Sequence, residues 1–161
     1  MHHCFPPVTR PDTRLLVLGS LPGAISLAEQ RYYAHPQNQF WKLMRAVTGR
    51  DLVPLAYEDR LTALLDAKVG LWDTVAAATR EGSLDAAIRL HEASDLAALV
   101  ATLPKLCAIA FNGATSAKIG RRQLGPAPGL TLIDLPSSSP AYASLSFEKK
   151  SERWLRLAAY L

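Results

Sequence analysis

Tyr32 to Trp41 reads Tyr-Tyr-Ala-His-Pro-Gln-Asn-Gln-Phe-Trp and holds four of the chain's twelve aromatic residues in ten positions. Flat rings beside the hydrogen-bonding His35 and Asn38 suit a nucleobase pocket, because every base offers a π-surface and a polar edge. Tyr33, His35 and Asn38 crowd the approach to Pro36 with more polar groups than a plain turn needs. Phe40 and Trp41 suit the core at the start of a helix, and Phe40 is also a candidate for the pocket wall. A second segment, Gly19 to Ala28, carries no charge and is rich in Gly19, Ser20, Pro22, Gly23 and Ser26, with Leu21 among them. Glycine has no Cβ and permits positive φ, so such a segment brings bare backbone close to a ligand, or simply turns a strand into a helix. It is neither a Walker loop, since no Gly-Lys-Ser/Thr follows, nor a dinucleotide fingerprint, since the third glycine is missing. The third segment, Pro136 to Pro140, carries three hydroxyls in Ser137, Ser138 and Ser139. These suit phosphate oxygens or a serine turn, and no Gly-x-Ser-x-Gly elbow surrounds them.

Short apolar runs recur at Arg14 to Gly19, Val69 to Val75, Leu106 to Phe111 and Leu130 to Leu135, and each suits a strand buried on both faces. Between them, helical spacing covers Phe40 to Val47, Tyr57 to Ala67, Asp95 to Leu103 with Ser94 as N-cap, and Ala114 to Gln123. Phe147 to Leu161 places Phe147, Trp154, Ala158 and Leu161 on one helical face, with Ser146 as cap. This alternation predicts a three-layer α/β/α domain with a mainly parallel sheet. In such sheets ligands bind beyond the carboxyl ends of the strands. That edge holds the Gly19 segment, Asp73 and Thr74, Asn112 and Gly113, and the serine segment.

At 161 residues the chain predicts one domain over residues 1–161. Its 49% hydrophobic and 20% charged content argues against a disordered or fibrous chain. The formal net charge is +4, and the acid-free stretch from Leu96 to Ile133, with Lys105, Lys118, Arg121 and Arg122, accounts for all of it. That surplus is either a solvated basic face or a surface for an anionic partner. His2, His3, His35 and His91 show no metal-ligand spacing, and Cys4 and Cys107 are too few for a zinc or iron–sulfur site. The expectation is therefore no metal and no cofactor. No run approaches the ~20 apolar residues of a membrane span and no signal peptide is visible, so a reducing cytoplasm is expected.

Taken in order, these segments resemble the uracil-DNA glycosylase superfamily, and within it the hypoxanthine-DNA (deoxyinosine) glycosylase branch. The resemblance rests on Gly19-Ser20-Leu21-Pro22-Gly23, Ser26-Leu27, Tyr32 to Trp41, Leu71-Trp72-Asp73, Gly82-Ser83-Leu84-Asp85, Phe111-Asn112-Gly113 and Leu135 to Ala141. It spans nearly the whole chain, and mismatch-specific uracil-DNA glycosylases share its Ala-His-Pro-x-Asn-x-Phe-Trp part. The resemblance implies a four-stranded parallel sheet and a monomer that flips a deaminated base out of duplex or single-stranded DNA and hydrolyses its N-glycosidic bond. Asn38 matches the catalytic asparagine of the branch, and Tyr33 matches the ring that stacks on the flipped base. Gly19, Ser20, Leu21, Pro22, Gly23, His35, Phe40 and Asn112 complete the implied base pocket. Ser137, Ser138, Ser139, Pro140, Ala141 and Tyr142 match the loop that enters the duplex, with Lys118, Arg121 and Arg122 as candidates for a phosphate-contacting face. Mismatch-type members carry a catalytic asparagine where this chain has Leu21, which turns the resemblance away from uracil as the main substrate. Tyr142 departs from the Asn or His usual in the branch.

An asparagine amide does not titrate near neutral pH, so Asn38 can orient water or the base but cannot be a general base. Backbone donors of Gly19 to Gly23 would stabilise charge developing on the leaving base. His35 would either donate to the base or brace the loop. Three rivals remain at this stage: a nucleic-acid binder of the same fold without the chemistry, a glycosylase for uracil or mixed lesions, and a phosphate-ester enzyme. The last lacks the metal ligands or Gly-Lys-Ser/Thr loop it would need.

Overall fold

The computed structural model describes residues 2–80, 88–127 and 129–161, so Gly82-Ser83-Leu84-Asp85 falls outside the described residues. In chain order the elements are β1 (His2–His3), β2 (Leu15–Gly19), α1 (Ala24–Glu29), α2 (Phe40–Thr48), α3 (Tyr57–Asp66), β3 (Val69–Asp73), β4 (Val75–Arg80), β5 (Ile88–Ala93), α4 (Leu96–Ala101), β6 (Ala108–Asn112), α5 (Ala114–Leu124), β7 (Thr131–Leu135) and α6 (Phe147–Leu155), followed by a 3-10 turn at Arg156–Tyr160. A four-stranded sheet of order β3-β2-β6-β7 has all its pairs parallel, with Leu15 opposite Val69 on one side and Ala108 on the other. The two central strands are buried at every position, as uninterrupted apolar runs require, whereas edge strand β7 exposes Thr131 and Asp134.

Alternation along the central strands sends side chains to two faces. Leu15, Val17, Ala108 and Ala110 meet Phe40, Leu43, Met44, Leu64, Trp154 and Leu157 from α2, α3, α6 and the 3-10 turn. Leu16, Leu18, Ile109 and Phe111 meet Leu96 and Ala117 from α4 and α5 on the other side. The three layers expected from the sequence are therefore present. Gly120 lets α5 lie against β6, since a Cβ there would overlap the Phe111 ring.

Three boundaries differ from expectation. The run Val69 to Val75 is two strands: Thr74 and Val75 bond to the carbonyls of Gly19 and Ser20, after which β4 leaves for a separate sheet of order β1-β4-β5. The cap of α4 is Asp95, not Ser94, because the Asp95 carboxylate reaches Ala98 N–H at 3.1 Å while Ser94 is buried. Ser146 does cap α6 through Lys149 N–H at 3.2 Å, but the helix then tightens to three residues per turn. That shift buries Leu157 and exposes Ala158.

The chain passes from β2 to β3 on one side and returns to β6 on the other, so the connections reverse at the carboxyl ends of β2 and β6. Crevices form at such a point.

Candidate active site

A cavity of about 510 Å³ opens at this reversal. Its wall comes from Gly19 to Ser26 after β2, Asp73 at the end of β3, Asn112 at the end of β6, Ser137 to Tyr142 after β7, and Tyr32, Tyr33, His35 and Asn38. Gly19 is small for a reason that geometry states. A Cβ there would lie 2.6 Å from Asp73 Oδ1 and 3.2 Å from the Tyr33 hydroxyl, so only glycine lets the carboxylate and the phenol approach the strand end.

Tyr33 has φ +54°, a left-handed backbone that is uncommon for a bulky residue and costs of order 1–3 kcal/mol. Its neighbours hold it there. Tyr32 N–H donates to Tyr57 Oη at 2.8 Å, Ala34 N–H to Ser26 Oγ at 3.0 Å, and Trp41 Nε1–H to the Tyr33 carbonyl at 3.2 Å. Phe40, fully buried, stacks under the Tyr33 ring at 3.9 Å and 18°. Phe40 thus supports the ring from the core and is not itself on the cavity wall, contrary to its expected place there; the first helical turn points it inward.

Asn38 Oδ1 accepts the Phe40 N–H at 2.9 Å, which orients the amide so that its NH2 is the donor end. His35 Nδ1 accepts Gln37 N–H at 3.0 Å, which makes Nε2 the protonated nitrogen of the neutral ring. His35 therefore does brace the loop, and the same bond leaves Nε2–H as a donor.

Asn112 is committed to the serine segment. Its Oδ1 accepts Ser138 N–H at 2.9 Å, while Nδ2 donates to Ser138 Oγ at 2.9 Å and to Tyr33 Oη at 3.4 Å. Ser137 Oγ and Ser139 Oγ accept the N–H groups of Ser139 and Ala141, folding a serine turn in which their O–H hydrogens can still donate. Lys150, 2% exposed, donates from Nζ to Gln39 Oε1 at 3.0 Å and to the Ser139 carbonyl at 3.4 Å, with the Tyr142 ring 5.3 Å away. Loss of solvent pushes its pKa down. One ammonium thus ties the serine segment and Tyr142 to the residue beside Asn38.

Asp73 is 3% exposed, and its charge acts on its surroundings. Burial first, and Asp73 second, push up the Cys4 thiol and the Tyr32 phenol. Among the described residues no cluster of His, Cys, Asp and Glu could hold a metal ion, and no helix is long and apolar enough to cross a membrane.

A family model described as the uracil DNA glycosylase superfamily matches residues 6–160. The chain belongs to that superfamily. It is 43% identical over 112 residues to a hypoxanthine DNA glycosylase of Methanosarcina barkeri, covering 70% of this chain and 71% of the relative. It is 39% identical over 148 residues to a hypoxanthine DNA glycosylase of Methanosarcina acetivorans, covering 92% of each. A solution NMR structure described as a candidate uracil DNA glycosylase from Methanosarcina acetivorans superposes with a TM-score of 0.86 at 37% identity, covering 98% of this chain and 97% of that one.

Against this superfamily background, the cavity brings together Gly19 to Gly23, Tyr33, His35, Asn38, Asn112 and Ser137 to Tyr142. It does not bring in the expected phosphate-contacting residues Lys118, Arg121 and Arg122. They lie on α5, which starts at the site and runs away from it, so Arg121 sits roughly 10 Å along the axis. Arg121 is also engaged, with Nε 3.0 Å from Asp134 Oδ1 and its guanidinium over the Phe111 ring. Asp73 and Ser26, which the sequence places near the strand ends without a role in the pocket, line the cavity as well, and Lys150 braces its serine segment. Asp73 had a signal, its place at a strand's carboxyl end; Lys150, a cation in an amphipathic helix, had none.

Proposed function

We propose that this chain is a DNA glycosylase that hydrolyses the N-glycosidic bond of a deaminated base flipped out of DNA, with hypoxanthine as its principal substrate. In this reading residues 1–161 act as one monomeric cytoplasmic domain on duplex DNA, and on single strands, without metal or cofactor. The observation that carries it is the buried Asp73 carboxylate in one cavity with the Asn38 amide and the Tyr33 ring. Deamination of adenine places a hydrogen on N1 and an oxygen on C6. In its carboxylate form Asp73 only accepts hydrogen bonds, and in that form it suits the N1–H of hypoxanthine and repels the N1 lone pair of adenine. A site built to satisfy one hydrogen-bond pattern rejects its mismatch strongly, because a buried polar group is then left unpaired.

In the reaction, the C1′–N9 bond breaks with its electron pair leaving on the purine. Water bonds to C1′ and gives up a proton, and a proton ends on the departed base. The Asn38 NH2, the Nε2–H of His35 and backbone donors of Gly19 to Gly23 supply the partial positive charge that the purine needs as it becomes anionic. These donors also offset the Asp73 charge, which aids recognition and opposes the developing anion. The hydroxyl hydrogens of Ser137 and Ser139 suit phosphate oxygens. Tyr142, 39% exposed at the rim, suits the hole left in the stack.

A panel of labelled duplexes, each with hypoxanthine, xanthine, uracil or adenine and cleaved with alkali at abasic sites, tests the proposal. Wild type excises hypoxanthine fastest, and Asn38→Ala slows single-turnover excision by about 10²- to 10³-fold. Asp73→Asn narrows the preference for hypoxanthine over adenine. Near-wild-type excision by a folded Asn38→Ala protein, or an unchanged preference in Asp73→Asn, overturns the assigned roles.

A further inference from the structure

A second cavity, of about 390 Å³, lies on the other side of the Tyr32 to Asn38 segment and shares Tyr32, Tyr33, His35 and Asn38 with the first. Its wall carries three cations, Arg31, Lys42 and Arg60, against one carboxylate, Glu29. Arg60 is a fixed charge: its guanidinium donates to the carbonyls of Leu55 and Val53 and lies 5.3 Å over the Trp41 ring. Arg31 and Lys42 are exposed and form no ion pair among the described residues. Three cations elsewhere are paired, Arg10 with Asp66 at 2.7 Å, Lys68 with Asp12 at 2.6 Å and Arg121 with Asp134. Lys118 and Arg122 on α5 form no ion pair among the described residues either, but they line neither cavity, whereas Arg31 and Lys42 line the one that adjoins the base cavity.

The chemistry of this groove favours a phosphate over a base. The aromatic faces that could stack on a base are covered, Trp41 by Arg60 and Tyr57 by Arg31 at 5.4 Å. The Val53 and Leu55 carbonyls, which could read a base edge, are taken by Arg60. What remains is a concave surface with a net positive charge and few other attractions.

We propose that this groove holds the phosphodiester backbone of the strand that carries the flipped nucleotide, with Arg31 and Lys42 contacting phosphates and Arg60 supplying a fixed background charge. The inference rests on the DNA-glycosylase reading for the identity of the anion. The two cavities share the wall formed by Tyr32, Tyr33, His35 and Asn38, so a strand that crosses this wall with its base in the first cavity brings its neighbouring phosphates to Arg31 and Lys42. Contacts of this kind position the strand without reading its sequence.

The test measures binding of an undamaged and a hypoxanthine-bearing duplex across a range of KCl concentrations, by fluorescence anisotropy. It uses wild type, Arg31→Gln, Lys42→Gln and the double variant. Lys105→Gln, in the turn before β6 and away from both cavities, is the control. Removing one cation from a phosphate lowers the slope of log K against log salt by about 0.9, so the slope of the double variant falls by about 1.8 and that of the control is unchanged. Affinity for the two duplexes falls by the same factor. An unchanged slope in the double variant overturns the inference, as does weakening confined to the hypoxanthine duplex. Protection of Lys42 from acetylation by inorganic phosphate at matched ionic strength, equal to that by DNA, also overturns it in favour of a small-anion site. Base release by wild type is scored separately, so failure of the glycosylase reading is distinguishable from failure of this one. The substituted residues are exposed, and a thermal melt of each variant confirms folding.

Discussion

Gly19→Ala acts chiefly on the position of the Asp73 carboxylate, with a smaller push of a few tenths of an ångström on the Tyr33 hydroxyl. Gly19 has no positive φ, so alanine is conformationally acceptable and only the added methyl matters. The methyl would stand 2.6 Å from Asp73 Oδ1 where ordinary contact begins at 3.4 Å, so that oxygen must retreat by about 0.8 Å. The backbone cannot yield instead, because Gly19 pairs with Asp73 across β2 and β3 and its carbonyl accepts Thr74 N–H at 2.8 Å. Overpacking of this kind costs about 1–3 kcal/mol, and each kcal/mol lowers Tm by about 2–4 °C in a chain of this size. A displacement approaching 1 Å in a positioned group costs about 10²-fold in rate. Gly19→Ala is therefore expected to stay folded at about 20 °C while excising hypoxanthine about 10²-fold more slowly under single-turnover conditions. Gly120→Ala is the control, since its methyl would overlap Phe111 on the far face of the sheet and lower Tm without slowing excision. Wild-type excision by Gly19→Ala, or equal slowing by Gly120→Ala, would refute the placement of Asp73 as a positioned group.

Tyr142→Ala is expected to slow excision from duplex DNA roughly tenfold more than from single strands, since a wedge recovers part of the few kcal/mol that extrusion costs; equal slowing on both substrates counts against a wedge. The buried Tyr32 phenol, held near the Pro6 carbonyl at 3.0 Å, has its pKa pushed up by burial. Its contribution to stability is therefore complete below the unfolded tyrosine pKa of about 10 and is lost as pH rises beyond it. Urea unfolding at about pH 8 and about pH 11 should show a stability gap between wild type and Tyr32→Phe that shrinks at the higher pH. A gap that widens contradicts the assignment.

Much of the fold was legible because local signals agreed with burial. All four expected core strands are present, and the helices between them begin within a few residues of their expected starts. Errors fell where a neighbour decided the outcome. The break at Thr74 depends on where β2 ends, and the 3-10 tightening after Leu155 depends on what Leu157 packs against, so neither has a signature within its own window. The same holds for the basic stretch. Its net charge was correctly counted, but linear order says nothing of Asp134 meeting Arg121 from the next strand.

By itself the sequence determined the layered α/β class, and it pointed to the sheet edge and, by type, to Tyr33, His35, Asn38 and Ser137 to Ser139 as candidates for a site, with Ala141 and Tyr142 added by the family resemblance. Periodicity and turn chemistry are local, so they survive in one dimension. Tertiary structure alone decided how those residues are used. It turned Asn112 into a clamp on Ser138, moved Phe40 beneath Tyr33, and brought Asp73 against Gly19 and Lys150 between Gln39 and Ser139. These roles depend on distances between segments up to 111 positions apart, and such distances are set only when the sheet and its helices pack.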